Sequence, residues 1–161
     1  MSQHDGKKRM DSLSLRPVEM ADADLLLLWR NDPDTRQASH NTDEVTLASH
    51  LVWLESSLSD LSKRRLWIAE VDGVAVGTCR ADRMAGVWEL SWTVASEARG
   101  KGVAHRMLSK LVLYFEEPLV AQVKIGNMAS IKVAERAGFV LDKQEQGVLF
   151  YVYPNASFRA D

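Results

Sequence analysis

At 161 residues the chain has the length of one domain, and 46% hydrophobic with 26% charged side chains is the composition of an ordinary globular protein, not of a disordered or fibrous one. Twenty Lys and Arg against 22 Asp and Glu give a formal net charge of −2, which argues against a nucleic-acid binder and makes any anion site a local one. The single Cys79 excludes an intramolecular disulfide and a cysteine-cluster zinc site and fits a reducing, cytoplasmic setting, while the longest apolar run, Leu25 to Trp29, is far short of the roughly 20 residues that span a bilayer.

Residues 1–12 are polar and charged and read as a loose tail ahead of one domain over residues 13–161. Leu13 to Pro17 reads as a first strand. Met20 to Asn31 reads as a helix with Asp22 and Asp24 near its start, stopped by Asn31-Asp32-Pro33. Asp32 to Thr42 is then a loop. A second helix is expected from about Asp43 to Ser59, with Leu47, Leu51, Leu54 and Leu58 on one face and Asn41 and Glu44 as a capping pair. Leu66 to Val71 and Val74 to Arg80 are strand-like runs joined by Asp72-Gly73, a strong hairpin signal.

The stretch from Val87 to Phe115 carries the first chemical signal. Trp88, Leu90, Trp92 and Val94 alternate with Glu89, Ser91 and Thr93, the period of a half-buried strand. Ala104, Leu108, Leu111, Val112 and Phe115 then follow the spacing of one helix face. Between them Arg99-Gly100-Lys101-Gly102-Val103-Ala104 makes a tight turn at a helix start, where orphan amide donors and the positive end of the helix dipole converge on a place for an anion. The plainer alternative for the hexapeptide alone is a turn whose glycines serve only the backbone. His105 stands where a dinucleotide fingerprint needs its third glycine, and Gly102 where a nucleoside-triphosphate loop needs Ser or Thr after Lys101, so neither motif is present. After it come a strand from Leu119 to Ile125, a turn at Gly126-Asn127, a helix from Met128 to Ala137 capped by Asn127 and closed by Gly138, a short strand at Phe139 to Leu141 and a last strand from Gly147 to Tyr153. The sum is an α+β domain around a mixed sheet. Cys79 lies in a valine-rich strand run and is a small core residue. His4, His40, His50 and His105 lack metal-ligand spacing, and no metal is expected.

Arg99, Gly102 and Ala104 fill, in order, the coenzyme A loop pattern of the GCN5-related N-acetyltransferases, which this stretch resembles. Asn127, Ser130, Glu135-Arg136 and Gly138-Phe139 resemble the closing signature of the same family, about thirty residues after the loop with a strand between. The resemblance covers Leu13 to Tyr153. Leu15-Arg16-Pro17, Leu27 to Asn31, His50 and Trp53 are similar to the branch of ribosomal-protein N-terminal acetyltransferases, and Trp29-Arg30-Asn31-Asp32 to enzymes that acetylate nucleotide-linked amino sugars.

The resemblance implies a mostly antiparallel sheet of six to seven strands, flanked by about four helices and splayed between strands 4 and 5. It implies acetyl-CoA as cosubstrate, without a metal. The backbone of Thr93 and Val94 would pair with the pantetheine arm, the amides of Arg99, Gly100, Lys101, Gly102, Val103 and Ala104 would take the pyrophosphate, and Asn127 would contact pantetheine or substrate. Glu89 is the candidate base, through water because about five residues, roughly 16 Å, separate it from the acetyl-anchoring end; it is equally a solvated or ion-paired strand residue. Ala134 stands where many relatives place a tyrosine acid, and Ser130 or water held by it is the substitute. Trp29, Arg30, His40 and His50 are expected to line the acceptor side. The acceptor is a primary amine, either a small molecule such as an amino sugar or a protein N-terminus, handled by a monomer or homodimer that binds neither nucleic acid nor membrane. A coenzyme A-binding regulatory module that has lost its chemistry is the alternative.

Overall fold

The computed structural model describes residues 12–154. Of the tail expected over residues 1–12, all but Ser12 lies outside them. The elements are β1 (Ser14–Pro17), a 3-10 turn (Met20–Asp22), α1 (Ala23–Arg30), α2 (Pro33–Ala38), α3 (Leu47–Ser59), β2 (Arg64–Val71), β3 (Val74–Met84), β4 (Val87–Val94), α4 (Val103–Leu111), β5 (Leu119–Lys124), α5 (Met128–Arg136), β6 (Val140–Glu145) and β7 (Val148–Tyr153). One seven-stranded sheet runs in the order β1-β2-β3-β4-β5-β7-β6, antiparallel throughout except for the parallel β4–β5 pair. That pair is two residues long, Trp88 against Leu119 and Glu89 against Val120. Beyond it β4 keeps β3 as partner and β5 keeps β7, so a wedge opens between Leu90–Val94 and Ala121–Lys124.

Antiparallel partners share a face, and the two faces of the sheet differ in kind. On one, Trp67, Cys79, Ala81, Trp88 and Leu90 are buried beneath α4, whose Val103, Met107, Leu108 and Leu111 make its apolar stripe. Each large side chain so buried contributes about 1.5–3 kcal/mol. Gly77 on β3 leaves no room for a side chain against β4: a Cβ built there would stand 2.7 Å from the Thr93 carbonyl oxygen. Burial pushes the Cys79 thiol up to about 12, so it packs and does not react. On the opposite face Thr78, Arg80, Asp82, Glu89, Ser91 and Thr93 form a half-buried polar field next to α3 and β2. Arg16 ties β1 to the start of α1 through a fork onto Asp22 at 2.8 and 2.9 Å.

Two expected boundaries are corrected. The segment expected as a loop from Asp32 contains α2: Pro33 stops α1 and begins the next helix at once, because its missing N–H is harmless in a first turn and Asp32 caps it, accepting from the Thr35 amide at 3.2 Å. The following helix starts at Leu47, not near Asp43, and its cap is Thr46, which accepts from the Ser49 amide, in place of Asn41 and Glu44. Asp72-Gly73 makes its hairpin with both residues at positive φ, 52° and 78°. Among the described residues no helix is long and apolar enough to cross a membrane.

Candidate active site

The wedge exposes a strand edge whose free groups follow from parity. Ala95 donates to the Val76 carbonyl on β3 at 2.9 Å, and Trp88 donates the other way, to Pro118 ahead of β5, at 3.1 Å. Because the β3–β4 register is unbroken, the backbone groups of Leu90, Trp92 and Val94 point into the wedge and those of Ser91 and Thr93 point at β3. The expectation for Thr93 is thereby corrected: its carbonyl abuts Gly77, and the free edge belongs to Val94 and Trp92.

At the wide end of the wedge the chain turns into α4. Gly100 and Gly102 take φ of 77° and 76°, a region that costs any residue with a Cβ, and the space a Cβ would fill at either is empty. Gly102 is the helix N-cap, with no side chain closing on the first-turn amides. Arg106 folds back onto the carbonyls of Lys101 and Gly102, each at 3.4 Å, so the carbonyls are occupied while the amides of Val103 and Ala104 face outward. Lys101 is exposed beside them. A helix start of this kind favours an anion.

Arg99 does not extend into the cradle. It binds Asp32 at 2.7 Å, Asp34 at 3.1 Å and the Thr35 hydroxyl at 3.3 Å, and its guanidinium holds the Asp32 carboxyl below the usual carboxylate range. From the other wall of the wedge Lys124, the last residue of β5, donates to the Gln37 carbonyl at 2.9 Å. So α2 is strapped across the wedge, one end to the β4 side and the other to the β5 side. Beneath it a pocket of about 290 Å³ is lined by Trp29, Asp32, Val94, Ser96 and Arg99 among others.

At the head of α5 the Asn127 side-chain oxygen accepts from the Ser130 amide at 3.2 Å, which caps the helix and leaves the Asn127 amide nitrogen as the group it can offer. Ser130 is half-buried in the first turn. Ala134 is fully buried, so that position carries no acid.

The polar field carries the side chains expected on the acceptor side. Glu89 is half-buried, and its carboxyl is raised above the usual range first by burial and then by Asp82 directly across the strand pair, while Arg80 and His40 pull it down. Glu89 and His40, expected on separate grounds, therefore share one electrostatic neighbourhood. Asp82 is held by Arg64 and by Arg80, and both guanidiniums lie over the Trp53 ring, at 5.2 and 5.7 Å. Arg30 donates to the Asn41 carbonyl at 2.8 Å, and Asn31 clamps the Val45 backbone with two bonds of 2.7 and 2.8 Å, so this one turn holds the segment carrying His40. Trp29 is buried yet reaches the pocket wall. His50 is not brought to the cleft surface: it is 4% exposed, stacked on Trp53 at 5.8 Å and hydrogen-bonded to the Ala23 backbone, with burial lowering its pKa. Sequence reasoning missed Trp92, whose role depends on strand parity, and Arg36, Arg80 and Asp82, which only the register of β3 and the existence of α2 bring together.

The acetyltransferase (GNAT) domain family matches residues 12–140. The chain belongs to that family. This GNAT acetyltransferase is 28% identical over 152 residues to an uncharacterized N-acetyltransferase p20 of Bacillus licheniformis, a match that covers 86% of this chain and 83% of that one. The ribosomal-protein-alanine N-acetyltransferase from Brucella melitensis superposes with a TM-score of 0.73 and 28% identity, over 86% of this chain and 98% of that chain. AAC(6')-Ib in complex with ribostamycin and coenzyme A shares the fold, with a TM-score of 0.78 at 20% identity over 92% and 96%. As a GNAT enzyme the protein is an acetyl-CoA-dependent acetyltransferase. Its residues fit that cosubstrate on two observations: empty space and outward amides at Gly100 to Ala104, and an unpaired strand edge at Val94.

Proposed function

We propose that the protein acetylates a primary amine, and that the amine meets the thioester at the wedge between the free edge of β4 and Glu89. Acetyl-CoA supplies an activated acetyl group with a thiol leaving group. The Trp92 and Val94 edge orients the pantetheine arm as an added strand would, and an amide of that edge polarises the thioester oxygen. The amides of Gly100 to Ala104 hold the diphosphate, and Asn127 offers its amide nitrogen from the opposite wall. The sole cysteine is buried with a thiol near 12, so the amine attacks directly. The new N–C bond replaces C–S, the amine proton passes through water to Glu89, and the departing sulfur takes a proton from Ser130 or from water held there.

The observation that carries this reading is Glu89: a carboxylate raised by burial is a better base near neutral pH than a solvated one, and it stands beside the last residues that hold the two halves of the sheet together. An α-amine of pKa about 7.8 is more than a tenth neutral at pH 7, so a low-pKa amine needs only such modest help. We read the acceptor as a small molecule such as an amino sugar or as a protein N-terminus, and the compartment as the reducing cytoplasm that suits a lone thiol. The enzyme works as a monomer or homodimer. The test is thiol release from acetyl-CoA across amino sugars, N-terminal peptides, aminoglycosides and polyamines; turnover with none, in a protein that binds coenzyme A, favours instead a module that binds the coenzyme without using it. The buried Ala134, which leaves no acid at its position, is the observation on that side.

A further inference from the structure

The acceptor side holds more positive charge than its own carboxylates answer. Arg30 at the end of α1, Arg36 on α2 and Arg80 on β3 each have an N–H out of reach of water and without a hydrogen-bond partner: Nη1 of Arg30, Nε of Arg36 and Nε of Arg80. The last lies 2.8 Å from Asp82 Oδ2 but out of alignment with it. Each of these residues is only partly buried. Arg30 is braced from behind by its bond to the Asn41 carbonyl and Arg80 by the Trp53 ring, which holds both forks in place without satisfying them. Burial and the nearby charges of Arg80 and Arg36 lower the pKa of Arg30, so the three cations act on one another. Arg64 and Arg80 both reach Asp82, and Arg80 also acts on Glu89, whereas Arg30 and Arg36 have no carboxylate partner among the described residues. Fixed like charges with unmet donors are a costly arrangement to keep with nothing between them.

We propose that the acceptor amine carries a phosphoryl group, bound by Arg30, Arg36 and Arg80 while the amine is presented to Glu89. The proposal rests on the amine-acetylating reading and narrows it to a small anionic acceptor. A phosphoryl group brings about −1.5 to −2 charge and three acceptor oxygens, which suits the guanidiniums of Arg30 and Arg36, unpaired with any carboxylate among the described residues, with Arg80 beside them. A carboxylate brings one charge and two oxygens and leaves a guanidinium unanswered. A polycation such as spermidine or an aminoglycoside is repelled. The placement is consistent with catalysis: Arg80 is the cross-strand partner of Ser91, the next residue after Glu89 on the same sheet face.

Titration calorimetry on protein saturated with coenzyme A, whose own diphosphate then fills the α4 cradle, tests the idea. Glucosamine is compared with glucosamine 6-phosphate and with muramic acid, which puts a carboxylate on the same sugar, and serine with O-phosphoserine. The phosphorylated member of at least one pair is expected to bind about tenfold tighter or better, and Arg36→Gln and Arg30→Gln each to remove about tenfold of that advantage while coenzyme A affinity holds. Equal binding within both pairs, equal binding of muramic acid and the phosphate, tighter binding of spermidine or kanamycin, or an advantage that survives both substitutions overturns the phosphoryl group. Those outcomes leave the acetyltransferase reading standing if coenzyme A binds and thiol is released with another amine. A protein that binds no coenzyme A overturns both.

Discussion

From Val94 through Ala104 the cleft offers backbone: a strand edge freed by the wedge and amides turned outward by two left-handed glycines. The proposed acceptor site is side chain instead, with Arg30, Arg36, Arg80, Asp82 and Glu89 drawn from α1, α2, β3 and β4. A backbone site is local in sequence and indifferent to most side chains it passes through, so it breaks only where conformation changes. A side-chain site is assembled from distant segments and breaks with single truncations. The first suits a ligand that stays the same across a family, the second one that varies.

The strongest challenge to this contrast is Glu89→Gln, which keeps shape and removes basicity; kcat near neutral pH is expected to fall about a hundredfold, with part of the loss recovered as rising pH supplies the neutral amine. The same substitution should raise stability. A carboxyl whose folded pKa lies above its unfolded value favours folding at low pH and costs stability as pH rises through the folded pKa. Melting curves should therefore show Glu89→Gln more stable than the parent at neutral pH and equal to it below the ordinary carboxylate range. A variant equally stable at every pH would mean that Glu89 is solvated like any surface carboxylate.

On the backbone side Gly102→Val places a β-branched residue at φ 76°, at about 1–3 kcal/mol of strain that the loop relieves by turning its amides. Coenzyme A affinity is expected to drop about tenfold or more by calorimetry, with the amine's KM unmoved. Unchanged affinity in the folded variant would move the cofactor elsewhere. Gly77→Ala probes the same strand from behind: its Cβ meets the Thr93 carbonyl at 2.7 Å, so the end of β4 has to shift, at about 1–3 kcal/mol by urea unfolding. Coenzyme A binding should weaken with it. If stability falls and affinity does not, the wedge-facing edge of β4 is not the cofactor's strand.

The smallest effect is expected at Asp32→Asn, which removes a partly exposed ion pair with Arg99 worth under about 1 kcal/mol. Asp32 is depressed in the folded protein, so its contribution is present above its unfolded pKa and fades as pH falls through the folded one. Parent and variant should thus converge in acid. Amide exchange over residues 33–38 should quicken in the variant, since one strap of α2 is gone.

What could be read in the sequence divides along the same line. Arg99 to Ala104, Asp72-Gly73 and Asn127 with Gly138 were legible because turns and caps depend on a few adjacent residues with special backbone demands. Asp32-Pro33 was legible only as a stop; that a proline and an N-cap also begin a helix was present in the same two residues. Which of Thr93 and Val94 faces the wedge depends on the bond from Trp88 to Pro118, a contact between segments that no local pattern encodes. Arg30 was singled out by resemblance, yet its partners Arg36 and Arg80 come from a helix the pattern hid and from a strand register. Trp29 to Asp32 proved to be a junction: one residue in the core, one bracing a carbonyl, one clamping Val45, one capping α2.

The two-residue ladder at Trp88–Leu119 and Glu89–Val120 also sets when the cleft comes into being. The pairings β2–β3, β3–β4 and β6–β7 close through two-residue turns and are local, early contacts. The parallel pair closes only after the crossover carrying α4 has been ordered, a longer loop with little ladder to reward it. Two hairpin assemblies are therefore expected to form first and to dock late. In folding, the enzyme acquires its two half-sheets before it acquires its active site.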